Sequence, residues 1–231
     1  MSYARSYTKE LLDSDDIPFA DIVANMQELN TVNTMLGGHR ITLKGLRYLL
    51  KDHDKQQTIT IAEIGCGGGD NLAVAGKYLR EHGYDYRLIG IDIKEECTRF
   101  AAQRTISAEW ICSDYRDVVW PAKQPDILFS SLFCHHFTDE ELVAQLRWMS
   151  ANCRTGFFIN DLHRHWLAYY SISALTKLFS KSYLVKNDAP LSVRRGFTKA
   201  EWRRHLQAAG VGKYNISWRW AFRHLICAKE Q

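Results

Sequence analysis

Residues 61–70 read Ile-Ala-Glu-Ile-Gly-Cys-Gly-Gly-Gly-Asp, a short apolar run that breaks into a glycine-rich turn. Ile61 to Ile64 predict a buried strand. Gly65, Gly67, Gly68 and Gly69 then remove the β-carbons that would hold a ligand away from the backbone. Asp70 and Asn71 stand where a helix should begin, and Leu72 to Arg80 carry it forward. A strand, a stripped turn and a helix N-terminus, in that order, make a cradle for a nucleotide-type ligand.

The spacing narrows the ligand. A dinucleotide turn reads Gly-x-Gly-x-x-Gly, whereas Gly65, Gly67 and Gly69 fall at every second position behind Glu63. No Gly-Lys-Ser/Thr follows, which sets aside a P-loop. Glu63-x-Gly65-x-Gly67-x-Gly69 resembles motif I of the class I S-adenosylmethionine-dependent methyltransferases. That resemblance implies S-adenosylmethionine as the cofactor, with Glu63, Gly65, Gly67, Gly69, Asp70 and Asn71 around it.

Downstream strands extend the pattern. Arg87 to Ile93 is a second apolar strand and delivers Asp92 at its C-terminal end. An acid roughly 20 residues past such a turn accepts ribose hydroxyls. A third strand, Glu109 to Cys112, ends in Ser113-Asp114; in the family resembled, an acid there receives the adenine amino group. The resemblance also places Ile93, Tyr115 and Ser130 at the cofactor. Asp126 to Ser130 and Gly156 to Asn160 predict a fourth and a fifth strand, the latter ending at Asp161. Between them Thr138 and Glu141 form a capping box that opens a helix.

Alternating strands and helices imply an α/β fold, a parallel sheet with helices on both faces. Ligands of such sheets bind beyond the carboxyl ends of the strands, so Gly65, Asp92, Asp114, His135 and Asp161 are expected to line one crevice. The family resembled has a Rossmann-like, seven-stranded, mostly parallel sheet with an antiparallel C-terminal strand. Tyr214 to Trp220 and Phe222 to Ala228 fit its closing hairpin, after a capped helix that starts at Thr198-Lys199-Ala200-Glu201 and ends at Gly210. The resemblance covers roughly residues 56–230.

At 231 residues the chain suits a single α/β domain with short additions. Residues 1–50 are expected to form an N-terminal helical lid, broken at Gly37-Gly38, or to pack against the sheet. The resemblance implies that residues 51–231 form the methyltransferase domain. Within it, 162–195 reads as a helical insertion whose Trp166, Tyr169, Tyr170, Leu175, Leu178 and Phe179 are either core or the wall of a substrate pocket. The polar start lacks a signal-peptide core, and Trp166 to Phe179 is too short to span a bilayer. Six cysteines without paired spacing read as reduced thiols, so a cytoplasmic protein without stable membrane insertion is expected. The formal charge is +4, and Arg194, Arg195, Lys199, Arg203, Arg204, Lys213, Arg219 and Arg223 crowd the tail. They read as a solvated face and a guarded sheet edge or as an RNA footprint, and no recognised RNA-binding module accompanies them.

Methyl transfer from a sulfonium is an in-line displacement, so the protein chiefly aligns donor and acceptor. An oxygen acceptor must also lose a proton, for which a histidine is a suitable base. Phe133-Cys134-His135-His136-Phe137-Thr138-Asp139-Glu140-Glu141 is similar to the segment after the fourth strand in phenolic O-methyltransferases and to the His-His pair of ubiquinone- and menaquinone-type methyltransferases. His135 falls on the catalytic position of the former, though His136 and Phe137 replace the usual Asp-Trp; in the latter such a histidine is partly architectural. His136, Asp161 and His163 are further catalytic candidates, with His165 beside them. A metal gathered by these histidines is not expected. The reading is O-methylation of a small phenolic or quinol-like acceptor, with ring C-methylation as the alternative and a homodimer as a candidate assembly. No nucleic-acid partner is expected.

Overall fold

The structure is a computed structural model and describes residues 4–14, 16–104 and 107–229. The predicted boundaries 1–50 and 51–231 therefore extend at both ends beyond the described residues. Strand β1 (Ile59–Ile64) explains the sheet by itself. Ile59 and Ile61 enter one core, Ala62 and Ile64 the other. Successive side chains point to opposite faces and both faces are covered, so the strand reads as a continuous apolar run. Strands β2 (Tyr86–Asp92), β3 (Glu109–Cys112), β4 (Ile127–Ser131) and β5 (Gly156–Leu162) join it in parallel. Strand β7 (Arg223–Lys229) runs antiparallel to both β5 and its hairpin partner β6 (Tyr214–Arg219). The order is β3-β2-β1-β4-β5-β7-β6. Strand order reverses between β1 and β4, which opens the crevice at their carboxyl ends.

Helices α2 (Gly38–Leu49) and α3 (Asp70–Glu81) cover one face with Leu46, Leu49, Leu72 and Leu79. Helices α5 (Asp139–Ala151) and α8 (Lys199–Ala208) cover the other with Leu142, Leu146, Met149, Trp202 and Leu206. Helix α1 (Phe19–Met35) precedes α2, and α4 (Glu95–Ala102) follows β2. The segment expected to be one lid thus divides: α2 belongs to the core and α1 does not.

The insertion contains two helices, α6 (Trp166–Phe179) and α7 (Tyr183–Arg195). Only Ala168 and Thr176 of α6 are buried, while Trp166, Tyr170, Leu178 and Phe179 are exposed. The aromatic stripe is therefore neither core nor, as the next subsection describes, cavity wall. Arg195 and Arg223 of the basic tail are buried, so that cluster is not one continuous surface. Among the described residues no helix is long and apolar enough to cross a membrane, and all six cysteines are free.

Both capping boxes form as expected. The Thr138 N–H donates to Glu141 Oε2 at 2.8 Å and the Glu141 N–H donates to Thr138 Oγ1 at 3.2 Å. Thr138→Ala removes the acceptor for an otherwise orphaned N–H, and such caps contribute about 1 kcal/mol. The expected result is a melting temperature lower by about 2–4 °C; an unchanged value would contradict the cap's role.

Candidate functional site

The glycine turn is shaped by close approach. Gly65 has φ +66°, and a β-carbon there would lie 2.4 Å from the Phe133 ring. The next constraint is polar: the Gly67 N–H donates to Asp92 Oδ2 at 2.8 Å, and the Lys94 N–H donates to Asp92 Oδ1 at 3.0 Å. Burial raises the Asp92 carboxyl above the ordinary range, against the pull of those two N–H groups. Glu63 is 1 % exposed, and burial pushes its carboxyl well up. Asn71 donates to its Oε1 at 3.2 Å, while Oε2 is buried with no hydrogen-bond partner. Asn71 is itself fixed by Thr42 of α2, which donates to its Oδ1 at 3.0 Å. Asp70, the first residue of α3, pairs with Arg104.

A cavity of about 450 Å³ opens beside this turn, within the range of ligand sites of roughly 300–1,000 Å³. Glu63, Gly65, Gly67, Asp70, Asn71, Asp92, Ile93, Asp114 and Tyr115 all lie on its wall. Gly69 and Ser130 do not. Gly69 instead precedes α3 in left-handed conformation, and the Ser130 hydroxyl is sealed against Cys134 Sγ at 3.4 Å. Asp114 reaches the cavity, yet its carboxylate is held by Arg116, which lowers its pKa; Nε donates to Oδ1 at 3.0 Å. The opposite wall is α1, through Ile22, Asn25, Met26, Leu29, Asn30 and Asn33. No residue of α6 or α7 lines this cavity, so the wall expected from 162–195 is supplied by α1.

The loop after β4 separates the two adjacent histidines. Leu132 takes φ +54°, an uncommon conformation for a residue with a β-carbon, and turns Phe133 toward Gly65. His135 is 3 % exposed and absent from the cavity wall. Its Nδ1 meets Asp161 Oδ1 at 2.7 Å, and its N–H donates to Asp161 Oδ2 at 3.0 Å. Burial would raise the fully enclosed Asp161, but the His135 contacts outweigh it and hold the carboxyl below its usual value. The expectation that His135 and Asp161 line the crevice with Gly65 is therefore corrected: this pair braces the loop from behind. His136 does line the cavity, its Nδ1 2.9 Å from Asp13 Oδ1. His163 lies elsewhere, bridged to Phe197 and packed 4.6 Å from the His224 ring, and burial lowers its pKa.

Two acids from the N-terminal segment complete the loop, and sequence spacing carried no signal for either. Glu10 is buried, with Oε1 3.6 Å from His135 Nε2 and Oε2 3.9 Å from His136 Nε2. Glu10, His135 and His136 thus offer three ligand atoms within 4.8 Å of one another. Arg195, 3.9 Å from Glu10 and 3.1 Å from Asp13, brings a cation to the same cluster.

Residues 61–156 match a family model described as a methyltransferase domain. No curated protein matches the sequence. The fold is similar to the plantazolicin methyltransferase BpumL in complex with SAH, at 20% identity over 94% of this chain and 92% of that one, TM-score 0.70. It is also similar to the plantazolicin methyltransferase BamL in complex with a triazolic desmethylPZN analog and SAH, at 15% identity over 92% and 98%, TM-score 0.63. A third likeness is magnesium protoporphyrin IX methyltransferase (ChlM) from Synechocystis PCC 6803 with bound SAM, at 13% identity over 87% and 84%, TM-score 0.56. The glycine turn and the strand order give the chain the Rossmann-like fold of these methyltransferase structures, and residues 61–156 are the segment that resembles a methyltransferase domain.

Asp13 gives this site a pH signature. Burial alone would raise its carboxyl, but the hydrogen bond and charge of His136, then the Glu10 N–H and Arg195, hold it far below the usual range. A depressed folded-state pKa contributes stability that is complete above the unfolded value of about 4 and is lost progressively as pH falls from there through the lower folded value. The melting-temperature gap between the wild type and Asp13→Asn is expected to be widest above about pH 5 and to shrink progressively as pH falls below about 4. A gap that stays constant through that window would contradict the ion pairing.

Proposed function

We propose that this enzyme transfers the methyl group of S-adenosylmethionine to a hydroxyl of a small phenolic or quinol-like acceptor. One observation carries the acceptor reading: His136 is the only histidine on the cavity wall among the described residues, and it sits with Phe133, Phe137, Met26, Leu29 and Ile22. An imidazole on a cavity whose lining is otherwise largely apolar and aromatic suits a flat acceptor with one ionisable hydroxyl. His135 is enclosed, and in this reading the neighbouring candidate His136 is the base.

The cradle suits the cofactor on its own chemistry. The unpartnered Glu63 Oε2 is a buried acceptor on the cavity wall, apt for an ammonium group, and Asn25 Nδ2 is a buried donor without a partner on the opposite wall. Each Asp92 oxygen receives one backbone N–H, which leaves lone pairs for two hydroxyls. Ile93, Tyr115 and Asp114 complete the far end, where Arg116 must release part of its hold for Asp114 to accept an amino group. S-adenosylmethionine supplies an electrophilic methyl carbon on a sulfonium. In this reading α1 is the lid over both ligands, and α2 anchors it.

Two variants separate the roles. Asp92→Ala is expected to weaken binding of the demethylated product by about 1–3 kcal/mol, a factor of roughly 5–150. His136→Ala is expected to leave that affinity intact and lower turnover about 10²-fold; equal loss of both would remove the separate catalytic role. The acceptor is tested with methyl-labelled S-adenosylmethionine and a panel of catechols and hydroquinones. Label recovered as an aryl ether supports the reading, and label on a ring carbon would shift it to C-methylation. Transfer to RNA alone, lost at high salt, would overturn it.

A further inference from the structure

We infer that the N-terminal segment 4–14 completes the catalytic apparatus: Asp13 is a positioning residue that holds His136 in the tautomer protonated at Nδ1, leaving Nε2 to take the acceptor's proton. This rests on the methyltransferase reading of the preceding subsection and adds a residue distant in sequence to its site.

The geometry is specific about which nitrogen is free. Asp13 Oδ1 lies 2.9 Å from His136 Nδ1, and an ionised carboxylate can only accept, so the shared proton belongs to Nδ1. The other Asp13 oxygen is occupied as well. Its Oδ2 accepts the Glu10 N–H at 2.9 Å and Arg195 Nη1 at 3.1 Å, which prevents the carboxylate from rotating away. Asp13 and His136 both lie on the cavity wall, whereas the similar Asp161–His135 pair is buried behind them. Two carboxylate–imidazole pairs thus occupy one loop, and only the one completed by the N-terminal segment meets the cavity.

The segment is fastened to the loop it serves. Arg5 Nη2 donates to the carbonyls of His135 at 3.2 Å and Phe137 at 2.6 Å, and Arg5 Nη1 pairs with Asp139 at 2.8 Å. Farther along, the Leu11 and Leu12 N–H groups donate to Asp188 of α7 at 2.8 and 3.0 Å. Glu10 Oε2 stands 3.9 Å from His136 Nε2, too far for a hydrogen bond, so it does not occupy that nitrogen. In the step so assigned, the acceptor O–H bond breaks and its proton passes to His136 Nε2. The oxygen lone pair forms the new O–CH₃ bond, and the S–CH₃ pair returns to sulfur as a neutral thioether. A carboxylate held beside an imidazole that becomes cationic in this step is the arrangement by which an acid orients and supports a histidine base.

The test reads the tautomer directly. Protein carrying ring ¹⁵N-histidine is observed at mildly alkaline pH by long-range ¹H–¹⁵N correlation, with His136 assigned by its loss in His136→Asn. The wild type should show Nδ1 protonated and Nε2 bare. Asp13→Asn should shift that population toward Nε2–H and reduce turnover of a catechol probe by about tenfold or more, while affinity for S-adenosylhomocysteine changes less than about twofold. An Nε2–H tautomer in the wild type overturns the inference without any variant having to fold, as does an Asp13→Asn spectrum identical to wild type. Addition of zinc ion provides a second check. Displacement of both the His135 and His136 Nε2 resonances by one equivalent would make the cluster a metal site and also overturn the inference. Retained S-adenosylhomocysteine binding with the wrong tautomer defeats only this inference, whereas lost binding in the wild type defeats the function on which it rests.

Discussion

The hydrogen bond from the Gly67 N–H to the Asp92 carboxylate is the tie on which the site depends. It joins the turn after β1 to the end of β2, two strands that pair through their whole length. With Lys94 donating to the other oxygen, the carboxylate is fixed in place before any ligand arrives. A group already oriented by the backbone loses little entropy on binding, which is how a preformed cradle converts contacts into affinity. The same tie brings buried Glu63 and half-buried Asp92 to one cavity wall, where loss of solvent raises both carboxyls.

Around that fixed floor the remaining walls come from distant parts of the chain. Helix α1 closes the side facing the glycine turn. The loop after β4 brings Phe133 over Gly65 and His136 to the cavity, and its back is braced by Asp161 of β5 through His135. In the proposed reaction donor and acceptor functions are divided. The carboxyl ends of β1 and β2 hold one, and the β4 loop with the N-terminal segment holds the other. This division suits a reaction in which alignment matters more than chemical participation by the protein.

Local rules made much of this legible. The strand ends, the glycine turn and the capping boxes at Thr138 and Thr198 depend on neighbours a few residues away, and each lies where spacing puts it. Choices made over long range were not legible. His135 and His136 are adjacent, and nothing in their order says which faces the cavity. That is decided by Asp161 on β5 and by Asp13, which lies 123 positions from His136. Likewise the aromatic stripe of α6 looked suited to a pocket wall, but the side of the crevice was already taken by α1. Asp114 reached its strand end as expected, and its engagement by Arg116 required side-chain geometry to see.

The proposed function requires that the glycine-turn cradle take S-adenosylmethionine rather than a dinucleotide. Calorimetric titration of the full chain with S-adenosylmethionine, S-adenosylhomocysteine and NADH tests that most directly. One equivalent of each sulfur nucleotide should bind on the order of micromolar, about −8 kcal/mol, with no heat from NADH. Binding of NADH in their place, or of none of the three, would contradict it.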